Sequence, residues 1–135
     1  MQFSRVAVIF LGAGLGGVLR YLIGTAIQIR AGGNFPHGTL WVNLAGSLAI
    51  GIFIGLQQRQ LLAPDGDPFF FLTTGLCGGF TTRRAFSAET LGLLRDRLAG
   101  FALLYAGATL LGCLAATAIG FSATSALTRL LGARA

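Results

Sequence analysis

Neutral hydrogen-bond formers within apolar segments are the side chains most able to do chemistry in this chain. They are Asn43, Thr82, Ser87, Tyr105 and Thr109. Each offers an O–H or N–H proton, and the Asn43 amide both donates and accepts. Enzyme constellations are missing from the sequence. The acids are Asp65, Asp67, Glu89 and Asp96, the lone histidine is His37, and Cys77 and Cys113 are widely separated. These give no nucleophile–base pair, no paired carboxylates and no metal-ligand spacing. Gly12-Ala13-Gly14-Leu15-Gly16-Gly17 faintly resembles a nucleotide-binding loop, but no strand precedes it.

The stretch from Thr73 to Glu89 organises the rest. It lies inside a long apolar segment and yet holds Gly75, Gly78 and Gly79, four threonines, Arg83, Arg84 and Glu89. In lipid, backbone that leaves the helical ladder must be satisfied by protein or by a wet cavity. Broken helices at membrane depth therefore mark ion or substrate sites. The glycine pair predicts the interruption near Gly78-Gly79 and the look of a pore.

Composition fixes the solvent. Of 135 residues, 54% are hydrophobic and only 10% charged, against about 25% charged in soluble domains. Mean hydropathy is +0.76. The net charge of +6 comes from scattered arginines without any lysine, which argues against a nucleic-acid patch. A span needs roughly 20 apolar residues, so four fit: about 3–29, 38–58, 68–94 and 98–121. The apolar run after Arg5 is too long for a signal peptide and reads as the first span. The expected fold is an all-α membrane protein of one domain, with four transmembrane helices and the third broken mid-span.

Stripes at four-residue spacing tell how the helices meet. Span one carries Gly12, Gly16, Arg20, Gly24 and Gln28, and span two carries Thr39, Asn43, Ser47, Gly51 and Gly55. Small residues at this spacing let helices approach closely in lipid. Arg20 either bonds carbonyls or the interface, or raises the potential beside an anion route. Asn43 either cross-links helices or donates to an ion. Span four carries Tyr105, Thr109 and Cys113, a hydroxyl, hydroxyl, thiol track. Residues Arg30 to Gly38 read as a turn holding a solvated His37, with Trp41 at the bilayer edge. Asp67 before Pro68 reads as a capping side chain followed by proline at the first helical position. A polar tail with Arg129 and Arg134 follows span four.

Arginines are nearly balanced between the two ends. Arg5, Arg59, Arg129 and Arg134 fall on one side, and Arg30, Arg95 and Arg97 on the other, joined by Arg20 if it snorkels. Such parity gives no positive-inside bias. The chain can then insert both ways, and a protein this small needs a second copy to enclose a path.

Three segments bear a family resemblance: Gly-Gly-Val-Leu-Arg-Tyr (16–21), Gly-Thr-Leu-Trp-Val-Asn-Leu-Ala-Gly-Ser (38–47) and Gly-Leu-Cys-Gly-Gly-Phe-Thr-Thr (75–82), continuing to Phe86-Ser87-Ala88-Glu89. Over essentially its full length the chain resembles the Fluc (CrcB) fluoride channels. The resemblance implies an antiparallel, dual-topology homodimer in the inner (plasma) membrane, with two pores exporting fluoride passively. It implies a structural sodium ion held by backbone carbonyls, here those of Gly78 and Thr81. It puts Phe86 at one of the pore phenylalanines and Glu89 beside the pore. A small, strongly hydrated anion needs many donors, and Asn43, Thr82, Ser87, Tyr105 and Thr109 are suitable types.

The chain departs from the family where it matters. The usual Thr-Thr-Phe-Ser-Thr-Phe-Ser is Thr-Thr-Arg-Arg-Ala-Phe-Ser here, so Arg83 replaces the first pore phenylalanine and Arg84 a serine. Glu89 lies six and five residues beyond them, off their helical face. Arg83 could point into the pore and hold an anion, or turn outward to water. Alternatively the chain is a pore-impaired subunit acting with an intact homologue, or the arginines are an introduced change. A small dual-topology multidrug exporter would need a carboxylate in its chamber, and Glu89 is the only intramembrane acid.

Overall fold

The computed structural model describes residues 2–130, and they are helical throughout apart from short connections. Helices α1 (Gln2–Ala31), α2 (His37–Gln58) and α6 (Ala99–Leu130) are continuous. All three are long and apolar enough to cross a membrane. The segment between α2 and α6 is built in pieces. A short α3 (Asp67–Phe70) runs into a π-helical stretch, Phe71–Cys77, then α4 (Gly78–Phe80). Thr81 and Thr82 leave the helix in extended conformation before α5 (Arg83–Arg95).

What faces outward identifies the solvent as lipid. Phe10, Leu103 and Leu111 are 75%, 74% and 68% exposed, and water would drive such side chains inside. The interior is instead a meeting of backbones. Gly12 and Gly16 of α1 press on the broken segment: a Cβ on Gly12 would sit 2.7 Å from the Phe71 carbonyl oxygen, and one on Gly16 would strike that of Leu76. Gly75 and Gly79 answer from the other side, Gly79 against the Ala13 backbone. Further along α1, Gly24 meets Gly38 of α2. Helices α2 and α6 close in the same way, through Gly51 on Thr117, Gly55 on Thr124 and Gly120 on Leu48. The Thr117 hydroxyl crosses to the Ser47 carbonyl at 3.0 Å.

Several expectations shift. The break falls at Thr81-Thr82, a turn beyond Gly78-Gly79, because both glycines stay helical and Gly79 packs on the α1 backbone at Ala13. Asp67 does not cap: Gly66 is the N-cap, no side chain caps it, and Asp67 lies inside the first turn, 4.0 Å from Arg5. Pro68 does sit at the start of the helix. His37 is the first residue of α2, half-buried with its ring 4.8 Å from that of Phe35. Helix α6 runs on past Phe121 to Leu130, so the stretch read as a tail is helix whose Thr124 and Thr128 are buried. Arg134 lies outside the described residues. The α1–α2 turn is made by Gly32 and Gly33 at φ +64° and +71°, values that suit glycine. Gln28 clamps it, donating to the Phe35 carbonyl at 3.1 Å and accepting from Gly38 N–H at 3.1 Å.

Candidate ion-binding cleft

At the break, one side chain replaces the helical ladder. In a continuous helix the Thr82 N–H would bond the Gly78 carbonyl, four residues back. It donates instead to Asn43 Oδ1 at 2.9 Å, while Asn43 Nδ2 makes a long 3.5 Å approach to the Thr82 carbonyl. Asn43 is 7% exposed, so the structural role is real. It leaves most of the Nδ2 donor capacity unspent, since a bond of that length is weak. The Thr82 hydroxyl accepts from Ala85 N–H at 3.2 Å and caps α5, keeping its own proton to give. The Gly78 carbonyl loses its helical donor at the same step.

A cleft of about 730 Å³ opens here, bordered by Asn43, Thr82, Arg83, Phe86, Ser87 and Thr109, with Gly78, Thr81 and both cysteines also on its wall. Thr109 is 8% exposed, and its buried hydroxyl oxygen has no hydrogen-bond partner among the described residues. Ser87 is less free than its type suggests, because its proton goes to the Arg83 carbonyl at 3.0 Å. Both cysteines are free thiols. Arg83 and Arg84 are exposed, and among the described residues neither side chain has a hydrogen bond or ion pair; only Arg83 lines the cleft.

Tyr105 is not on that wall. It is fully buried behind Phe86, with ring centroids 5.3 Å apart, and its hydroxyl donates to Glu89 Oε2 at 2.6 Å. The other Glu89 oxygen accepts from Thr39 Oγ1 at 2.7 Å. The expected track on α6 therefore divides: Thr109 and Cys113 face the cleft, and Tyr105 serves the carboxylate. Thr39 is the residue that sequence reasoning passed over as a site member. Its place in the α2 stripe with Asn43 was the available signal.

Arg20 and Glu89 border a second cleft of about 530 Å³ between α1, α2 and α5. Arg20 is half-buried, with its Nε buried and unbonded among the described residues. Thr82 borders both clefts. The break thus separates two recesses by a single residue with hydrogen-bonding groups on both sides.

Residues 7–121 match the family described as CrcB-like protein, Camphor Resistance (CrcB). The chain belongs to the CrcB family. A relative in Thermus thermophilus, a fluoride-specific ion channel FluC, is 43% identical over 86% of this chain and 91% of its own. Proteins of the same name in Phocaeicola vulgatus and Methylobacterium nodulans are 44% and 42% identical, over 82% and 93% of this chain and 91% and 96% of theirs. In this CrcB chain the recess nearest the helix break carries a guanidinium, supplied by Arg83.

Proposed function

We propose that the chain is a passive fluoride-selective channel of the inner (plasma) membrane, and not an enzyme. It works as an antiparallel dual-topology homodimer with two pores. The reading is carried by the broken helix, pinned by Asn43 and opening on a cleft with donors left over, in a chain over 40% identical to fluoride-specific ion channels. Fluoride in water is surrounded by O–H donors, and a selective path must replace them at little net cost. Asn43 Nδ2, Thr82 Oγ1 and Thr109 Oγ1 could do so, with the Phe86 ring edge adding partial positive charge. Ser87 joins once its proton turns from the Arg83 carbonyl.

A structural sodium ion fits the chemistry of the break. Gly78 is exposed and its carbonyl is released by the Asn43–Thr82 bond, and oxygen ligands suit a hard cation. The Gly78 and Thr81 carbonyls would hold the ion, its charge offsetting the partial negative end of α4. Glu89, fully engaged by Thr39 and Tyr105, is poorly placed for the proton exchange a drug exporter would need.

The test is fluoride efflux from liposomes holding only this protein, with chloride as control. Fluoride release with chloride retained supports the homomeric channel. Arg83, on the cleft wall without a partner, favours a second reading, a pore-impaired subunit that needs an intact homologue. That reading is favoured if efflux appears only in Arg83→Phe with Arg84→Ser and Ala85→Thr. Silence from both, with an intact dimer, would sink the homomeric channel.

A further inference from the structure

We propose that Arg83 makes the cleft at the helix break a binding site for small planar monovalent oxyanions, of the nitrate or carboxylate class, which compete with the conducted ion. Among the described residues, Arg83 supplies the only formal charge on the cleft wall. Each acid is placed elsewhere: Glu89 on the other cleft, Asp67 beside Arg5, Asp65 and Asp96 in the end loops. Nothing in the described residues neutralises the guanidinium. Its position sharpens the effect. Arg83 opens the 13-residue α5, whose first turn has no acid and continues with Arg84. The positive end of the helix dipole and two arginines coincide, an arrangement that repels itself and attracts an anion.

Thr109 is the second, independent feature. Its hydroxyl is buried and unbonded on the same wall, and a buried donor without an acceptor calls for one. A guanidinium offers parallel N–H bonds that match two oxygens of a planar anion, whereas a spherical halide can take up less of the fork. A cleft of about 730 Å³ admits such an anion with room for water. This site lies in the proposed fluoride path and rests on that reading for its effect on efflux, whereas binding can be measured without conduction.

The experiment is calorimetric titration of the purified protein with sodium nitrate in a buffer free of halide and carboxylate, paired with fluoride efflux at rising nitrate. Expected are saturable nitrate binding and graded inhibition of efflux. Arg83→Phe should lose both, by at least tenfold in affinity, while Arg84→Ser, off the cleft wall, should retain saturable binding and inhibition, weakened far less than in Arg83→Phe. Arg83→Lys retains charge without the fork and should lose the preference for nitrate over chloride. Thr109→Val should weaken binding severalfold. No nitrate heat from the unaltered protein, equal binding in Arg83→Phe, or chloride binding as tightly as nitrate would each overturn the proposal. A chain that passes no fluoride but binds nitrate through Arg83 supports the site and discards only the homomeric channel.

Discussion

Asn43 and Thr82 divide the work of ending a helix inside an apolar layer. Thr82 caps α5 through its hydroxyl, and Asn43 takes the N–H that the broken ladder releases. Loss of an N-cap hydroxyl costs about 1 kcal/mol. A buried N–H left unmet costs about 1–3 kcal/mol. Asn43→Leu should therefore lower the thermal midpoint in detergent more than Thr82→Ala, and both should lower it. Equal midpoints in Asn43→Leu and the unaltered protein would mean that another acceptor takes the Thr82 N–H. Glu89 is comparably tied. Tyr105→Phe removes one of its two donors, and bonds to a charged group contribute about 1.5–3 kcal/mol. We expect a clear drop in midpoint from Tyr105→Phe, measured the same way; an unchanged midpoint would show that Glu89 does not depend on the phenol. The pairing was hidden in the sequence because Thr39 and Tyr105 lie on different helices, 50 and 16 residues from Glu89.

At the scale of elements, the glycines decide which helices touch. Gly16→Ala sets a methyl against the Leu76 carbonyl oxygen and Gly79→Ala sets one against Ala13 backbone. Both contacts are with backbone, which has little freedom to give. Each variant should push α1 from the broken segment and reduce recovery of monodisperse protein on size exclusion. Gly14→Ala meets open space, and replacing glycine within a helix contributes roughly 0.5–1 kcal/mol, so it should be neutral or stabilising. Were all three to behave alike, the glycines would not be holding α1 in place. The four-residue stripes made this packing legible: Gly12 and Gly16 do face the third segment and Gly24 does face α2. Legibility failed where a residue type has two uses. Gly78-Gly79 reads as a breaker by propensity, but both stay helical, Gly79 against the α1 backbone at Ala13, and the chain breaks where Asn43 can satisfy it. Asp67 reads as a cap, but Arg5 draws it into an end-of-helix pair. The π-helical Phe71–Cys77 has no signature in its residue types, since it depends on how the glycines of α1 seat against it.

The whole molecule presents apolar side chains along its helices and charges at its ends. At one end Arg5 reaches the Asp65 carbonyl at 2.8 Å and stands 4.4 Å from the Phe70 ring centre, with Arg59 and Arg129 beyond their own helix bodies' midpoints on that side. At the other end lie Arg30, Arg95 and Arg97. Three described arginines thus face three. Orientation follows the Lys/Arg difference between short loops, with acids contributing little. A difference near zero sets no preferred orientation, the condition that the proposed antiparallel pair of identical chains requires. Single cysteines at Asp65 and at Asp96, in a Cys77→Ala, Cys113→Ala background, should each be labelled in only part of the population by a membrane-impermeant thiol reagent on intact cells. Adding Gln58→Arg and Gln60→Lys should drive the Asp65 end inward, so that its labelling falls and that of the Asp96 end rises. Complete labelling of one end and none of the other, before any charge is added, would mean a single orientation and would rule out an antiparallel homodimer.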